Sequence, residues 1–124
     1  MAVVVTTPPY DNLTTTTISI IKAALANNIC IVGVFFYQKG VLNAAKNLSL
    51  PTDEFQTQQQ WQALVKEHKL ALYLCSTAAE KHGLVVDNFQ HEKDELSLID
   101  DSFILAGLGE LVTLTNEAER VVQL

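Results

Sequence analysis

Short apolar runs alternate along this chain with longer stretches whose apolar residues recur at helical spacing. Val3 to Thr6 is a β-branched run closed by Thr7-Pro8-Pro9, and two prolines continue neither a helix nor a central strand. Asn12 or Thr14 is placed to cap a helix carrying Ile18, Ile21, Ala24 and Leu25 and ending near Asn27-Asn28. Ile29 to Tyr37 is apolar on both faces, the pattern of a parallel strand covered by helices on either side. Gly40 breaks that run, and Val41 to Lys46 reads as a helical turn. After a loop at Ser49 to Asp53, a polar helix is expected over Glu54 to His68. Phe55, Trp61, Leu64 and Val65 are its packing positions, and the glutamines between Gln56 and Gln62 form its solvated face.

Leu70 to Leu74 predicts a third strand, followed directly by Cys75. Thr77-Ala78-Ala79-Glu80 has the spacing of a capping box, and His82-Gly83 supplies the stop. From Asp87 to Asp101 the periodicity lapses and six acids crowd against one lysine. That stretch reads as a solvated loop, with room for one short helix, and with a basic protein partner as the alternative role. Phe103 to Ala106 predicts a fourth strand, Gly107 to Asn116 a helix, and Arg120 to Leu124 a closing strand. The alternation implies an α/β fold: one domain over residues 1–124, a doubly wound, mostly parallel five-stranded sheet of flavodoxin-like type with helices on both faces. The common strand order 2-1-3-4-5 would set the carboxyl ends of strands one and three side by side, joining Thr6 to Tyr10 with Leu74 to Ser76.

Composition narrows the possibilities. At 124 residues, 48% of them hydrophobic, the chain builds one core without staples, and two cysteines are too few for a disulfide scaffold. The longest apolar run, Ile29 to Phe36, is far short of the ~20 residues of a membrane span. Met1 to Val5 has no basic leader, so no secretory signal is read there and a cytoplasmic location is expected. Eight basic residues against fourteen acidic ones, a formal charge of -6, argue against direct nucleic-acid binding.

Among reactive side chains, Cys75 stands out. It falls at a strand's carboxyl end and before a helix start, where open α/β sheets place their sites and where a thiolate is favoured over a thiol. It could act as a nucleophile or carry sulfur; the alternative is an ordinary buried core cysteine. Cys30, at the amino end of the second strand, reads as core. The two sulfurs would lie roughly 15–20 Å apart at ~3.3 Å per residue, too far for a disulfide. Any relay through Cys75 must therefore hand its cargo to another molecule. His68, His82 and His91 share no metal-ligand spacing, and no metal site is expected. No nucleophile elbow or Walker-type loop occurs. Thr14 to Thr17 could hold the phosphate of an FMN, but prolines stand where such a loop wants glycine, so helix capping is the preferred role and no cofactor is expected.

Five blocks in order resemble a known family. They are Val3 to Thr6 with Pro8 to Tyr10; Val34 to Ala44; Asp53 to Phe55 with Trp61 to Leu64; Leu74-Cys75 with the helix up to Gly83; and Ala106 to Leu111 with Arg120 to Leu124. Together they are similar to the DsrE-like sulfur-relay proteins, and within them to the branch serving tRNA 2-thiouridine synthesis. The resemblance implies a sulfurtransferase that carries sulfane sulfur as a persulfide on Cys75, with neither metal nor organic cofactor. It implies an upstream TusA-like donor, a downstream TusE-like acceptor, and TusB-like and TusC-like homologous subunits in a heterohexamer, a dimer of trimers. Asp11 stands where family openings often carry glycine. A DsrE-type carrier in sulfur oxidation, a non-catalytic scaffold subunit and an FMN-binding module remain as alternatives.

Overall fold

The computed structural model describes residues 1–85 and 98–124. Most of the acidic stretch from Asp87 to Asp101, His91 included, lies outside those residues. The elements run β1 (Ala2–Val5), α1 (Asn12–Ala26), β2 (Gly33–Phe36), a 3-10 turn (Gln38–Ala44), α2 (Thr57–His68), β3 (Leu72–Cys75), α3 (Ser76–Lys81), β4 (Phe103–Ala106), α4 (Leu108–Glu117) and β5 (Val121–Gln123). All five expected strands form one sheet, and each of its four pairings is parallel.

The strand order is β4-β3-β2-β1-β5, not 2-1-3-4-5. β2 lies between β1 and β3, so the ends of strands one and three are not neighbours. The reason lies in the crossovers. β1 to β4 are laid down in one direction, and right-handed connections put α1, α2 and α3 on the same face. There α1 packs on α2, and the 3-10 turn packs on both α2 and α3. Only the connection from β4 to β5 runs back across the sheet, and it carries α4 over the other face. A Cβ on Gly33 would sit 2.9 Å from Leu114 of α4 and 3.0 Å from the Tyr73 ring, which fixes the side on which α4 lies.

Side chains alternate between these faces. Val3, Val5, Val34, Phe36, Leu72 and Leu74 point to the three-helix side and are fully buried. There the Phe36 ring meets Trp61 and Phe103 edge-on, at 5.0 and 5.1 Å between centroids. The α4 side is covered only along its middle. Phe35 is buried, while Ile104 on β4 is 51% exposed and Val121 on β5 is also exposed.

Several boundaries differ from the sequence pattern. β2 starts at Gly33, so the amino half of the apolar run from Ile29 lies beyond the sheet edge. Cys30 is therefore exposed rather than part of the core, and its carbonyl accepts a 2.7 Å hydrogen bond from the Met1 ammonium. Helix α1 is capped by Asp11, whose side chain accepts from the Leu13 N–H, and not by Asn12 or Thr14. α2 starts at Thr57, which leaves Phe55 outside the helix and 39% exposed; Trp61 is the packing residue expected. No capping box forms at Thr77 to Glu80, because the cap of α3 is Cys75 itself. Helix α3 ends at His82 and Gly83 as the sequence predicts.

Candidate active site

A site at the carboxyl edge begins with how β1 ends. The Thr7-Pro8-Pro9 segment has carbonyls that no neighbouring strand can take up. Three buried side chains from three elements donate to them: Asn43 Nδ2 to Thr7 at 3.0 Å, Thr14 Oγ1 to Pro8 at 2.6 Å and Thr57 Oγ1 to Pro9 at 2.8 Å. Asn43 also donates to the Gly40 carbonyl and accepts from Trp61 Nε1 at 3.0 Å. Every buried polar side chain in the described structure is thereby paired.

Three of the four threonines that suggested an FMN phosphate site are occupied in the same manner. Thr14 and Thr17 are buried with hydroxyls bonded to the Pro8 and Leu13 carbonyls, and Thr16 donates to the Asn12 carbonyl. These three hydroxyls are turned to the backbone and not toward a phosphate.

Beside this braced loop, the 3-10 turn leaves β2. The Tyr37 N–H donates to the Val5 carbonyl at 2.9 Å, and the Gly40 N–H closes back on the Tyr37 carbonyl at 2.9 Å. Gly40 packs so tightly that a Cβ would stand 2.0 Å from the Val5 carbonyl oxygen. Between them Gln38 is held in the left-handed region, φ 51°, an uncommon conformation for a residue with a side chain.

A cleft of about 580 Å³ opens there, lined by Thr6, Tyr37, Gln38, Lys39, Cys75, Thr77, Ala78, Lys81, His82 and Leu108. These residues come from the ends of β1, β2 and β3, the starts of the turn and of α4, and both ends of the short α3. Cys75 pairs across the sheet with Ala106, at the end of β4. After β3 the chain turns to one face and after β4 to the other, so the reversal of connections falls between these two strands. Cys75 thus occupies the switch point of the sheet, with β4 rather than β1 as the neighbour that creates it. It is 1% exposed, so its sulfur belongs to the cleft wall. Both cysteines are free thiols.

The cleft contains two lysines that the sequence pattern did not single out, together with His82, read there only as a helix stop outside any metal site. Lys39, Lys81 and His82 line the same cleft as Cys75, and none of its lining residues among those described is acidic, in a chain of net charge -6. The only available sequence signals are the helical spacing of Ala78, Lys81 and His82 after Cys75 and the Lys39-Gly40 pair after a strand. His68 closes α2, outside this cleft. Among the described residues no three His, Cys, Asp or Glu side chains gather as a metal site. No helix among them is long and apolar enough to cross a membrane.

Fold and cleft together define a doubly wound α/β protein with a cysteine in the wall of its switch-point crevice. Comparison with known proteins gives the lineage. The profile of the DsrE/DsrF-like family matches residues 1–124, and the chain belongs to that family. It is 38% identical over 101 residues to the "Sulfurtransferase TusD homolog" of Pasteurella multocida, covering 82% of this chain and 79% of that one. It is 37% identical over 127 residues to the "Sulfurtransferase TusD" of Buchnera aphidicola, covering 98% and 96%. The crystal structure of the ychN protein from E. coli superimposes with a TM-score of 0.70 over 99% of this chain and 97% of that chain, at 20% identity, and shares the fold. The family and these relatives make the chain a member of a sulfur-relay lineage.

Proposed function

We propose that this chain is a single-domain sulfurtransferase that carries sulfane sulfur on Cys75. The observation that supports this most directly is the position of Cys75 in the wall of a cleft at the switch point of a DsrE/DsrF-like sheet. The Cys75 thiolate attacks the outer sulfur of a donor persulfide. A new S–S bond forms to Cys75, the donor's S–S bond breaks, and the donor leaves as a thiol. Cys75–SH and R–S–SH thus become Cys75–S–SH and R–SH, with no net oxidation. An acceptor thiol reverses the sequence. Such exchange requires a thiolate within reach of the donor and neither a metal nor an organic cofactor.

The TusD names of the relatives favour a place in tRNA wobble-uridine thiolation over sulfur oxidation. In that setting a TusA-like protein donates, a TusE-like protein accepts, and TusB-like and TusC-like subunits complete a cytoplasmic heterohexamer. Exposed apolar residues on and beside β4, namely Ile104, Leu105, Leu108 and Val112, favour protein partners over a free surface. RNA is reached through those partners and not by this acidic chain.

The test is incubation with a cysteine desulfurase, cysteine and the upstream carrier, followed by mass spectrometry of cysteine-containing peptides. The Cys75 peptide is expected to gain one sulfur atom. Sulfur that still accumulates on the protein after Cys75→Ser overturns the assignment.

A further inference from the structure

Resting on Cys75 as the sulfur carrier, we infer that Lys39 and Lys81 form a cationic clamp for the outer sulfur of the loaded persulfide. The clamp favours the loaded carrier over the empty one. Four features converge on it. First, the lysines reach the cleft from two different elements, the 3-10 turn and α3, and among the described residues no carboxylate lines it with them. Second, neither is paired with an acid among the described residues, whereas Lys46 stands 3.8 Å from Asp101.

Third, the backbone aims them. Side chains on a helix tilt toward its N-terminus, so Lys81 leans back toward the end of α3 that Cys75 caps. Lys39 follows Gln38, whose left-handed backbone is enforced by the Tyr37 and Gly40 hydrogen bonds and by the contact of Gly40 with Val5. Helix α3 has only six residues, so its own N-terminus offers little to an anion and the side chains must supply the charge.

Fourth, the sulfur to be held is not where the resting sulfur is. The Cys75 thiol lies in the wall, 1% exposed. A persulfide adds one S–S bond, about 2.05 Å, and carries the terminal sulfur out of the wall into the cleft between the lysines. A persulfide also ionises more readily than its parent thiol, because its S–H bond is weaker, and the charge then sits mainly on the outer sulfur. After transfer the outer S–H gives its proton to water, and the anion left behind is screened less in a half-enclosed cleft than on open surface. The resting sulfur, set back in the wall, gains less from the lysines than the outer sulfur that reaches between them.

The experiment uses the full chain carrying Cys30→Ser, equilibrated with graded ratios of N-acetylcysteine amide and its persulfide, a pair uncharged except at sulfur. Intact mass reports the loaded fraction, and iodoacetamide reports access to the empty Cys75. In Lys39→Gln/Lys81→Gln the loaded-to-empty ratio is expected to fall about tenfold at low salt, less than the loss of a donor from a fully enclosed anion site. High salt should shrink that difference, and Lys39→Arg/Lys81→Arg should restore most of the ratio. The alkylation rate of empty Cys75, which follows its thiolate fraction and its access, should fall by clearly less than the loading ratio does, since the resting sulfur sits back in the wall and the outer sulfur reaches between the lysines. An unchanged loading ratio overturns the clamp and leaves the carrier role intact, as does a parallel loss of loading and alkylation. No sulfur on Cys75 of the parent chain overturns the carrier role and the clamp with it.

Discussion

The two cysteines contrast the two edges of one sheet. At the amino edge, Cys30 is exposed, its segment lies before β2 begins, and its carbonyl caps the Met1 ammonium. At the carboxyl edge, Cys75 is almost fully buried, yet it forms part of a large cleft with three basic neighbours. Accessibility alone would nominate Cys30, whereas the proposed carrier is the buried sulfur in the cleft. The difference arises because strand ends at the carboxyl edge must turn into helices that diverge to opposite faces, which opens a crevice. The amino edge receives chain returning from loops and needs no such gap. A buried thiol within a crevice also selects its reagents, since only a slender group reaches it.

The largest effect that would break this contrast is loss of the cleft sulfur. Cys75→Ser should lower sulfur loading by at least about a hundredfold, because serine offers no atom that forms a stable S–S bond. Equal labelling of Cys30 and Cys75 by the sulfur donor, read by peptide mass, would erase the distinction between the edges. The next effect is on the frame of the cleft. Gly40→Ala places a methyl 2.0 Å from the Val5 carbonyl oxygen, so the turn must move away from β1. A cost of about 3 kcal/mol or more is expected, with a melting temperature lowered by about 10 °C and slower loading at Cys75. Thermal melting at unchanged temperature would show that the turn is not held by this contact.

Asn43→Ala comes third. It removes the acceptor for buried Trp61 Nε1 and the donor to the Thr7 and Gly40 carbonyls, while the apolar packing around Trp61 stays. Leaving such groups unpaired costs about 2 kcal/mol, measured by urea denaturation. If the variant lost stability but loaded sulfur at the normal rate, the bracing of the Thr7-Pro8-Pro9 loop would concern folding alone.

How much of this was legible in the sequence follows from how local each feature is. β1, β2 and β3 were readable because Val3 to Val5, Val34 to Phe36 and Leu72 to Leu74 are covered on both faces or nearly so. Cys75 was readable because its strand-to-helix transition is adjacent in sequence. The start of β2 was not. An apolar run does not say where pairing begins; the register does, and Ala2 pairs with Gly33. Strand order was hidden for a related reason, since it depends on which edge accepts each new strand. Lys39 and Lys81 were hidden too. They share a cleft with Cys75 only after β2 and β3 are laid side by side, and nothing in the spacing of 39, 75 and 81 announces it. Phe55 was misread because amphipathic spacing extends past the point where Thr57 anchors the helix to the Pro9 carbonyl.

The smallest expected effect gives the most specific check on the two edges. Cys30→Ser changes one exposed atom outside every strand, and the hydrogen bond there uses the backbone carbonyl, which serine keeps. Stability should shift by no more than about 0.5 kcal/mol, the ordinary range for a surface substitution away from special contacts. Loading at Cys75 should be unchanged, because Cys30 lies at the opposite edge and cannot reach the sulfur to form or resolve a disulfide within the chain. In the parent chain a neutral alkylating agent under native conditions should modify Cys30 before Cys75, while a sulfur donor labels them in the opposite order. That crossing of preferences separates exposure from reactivity. If sulfur loading instead falls with Cys30→Ser, the amino edge takes part in the transfer, either through a second protomer or as a resolving thiol. The contrast between one structural and one reactive cysteine would then give way to a pair.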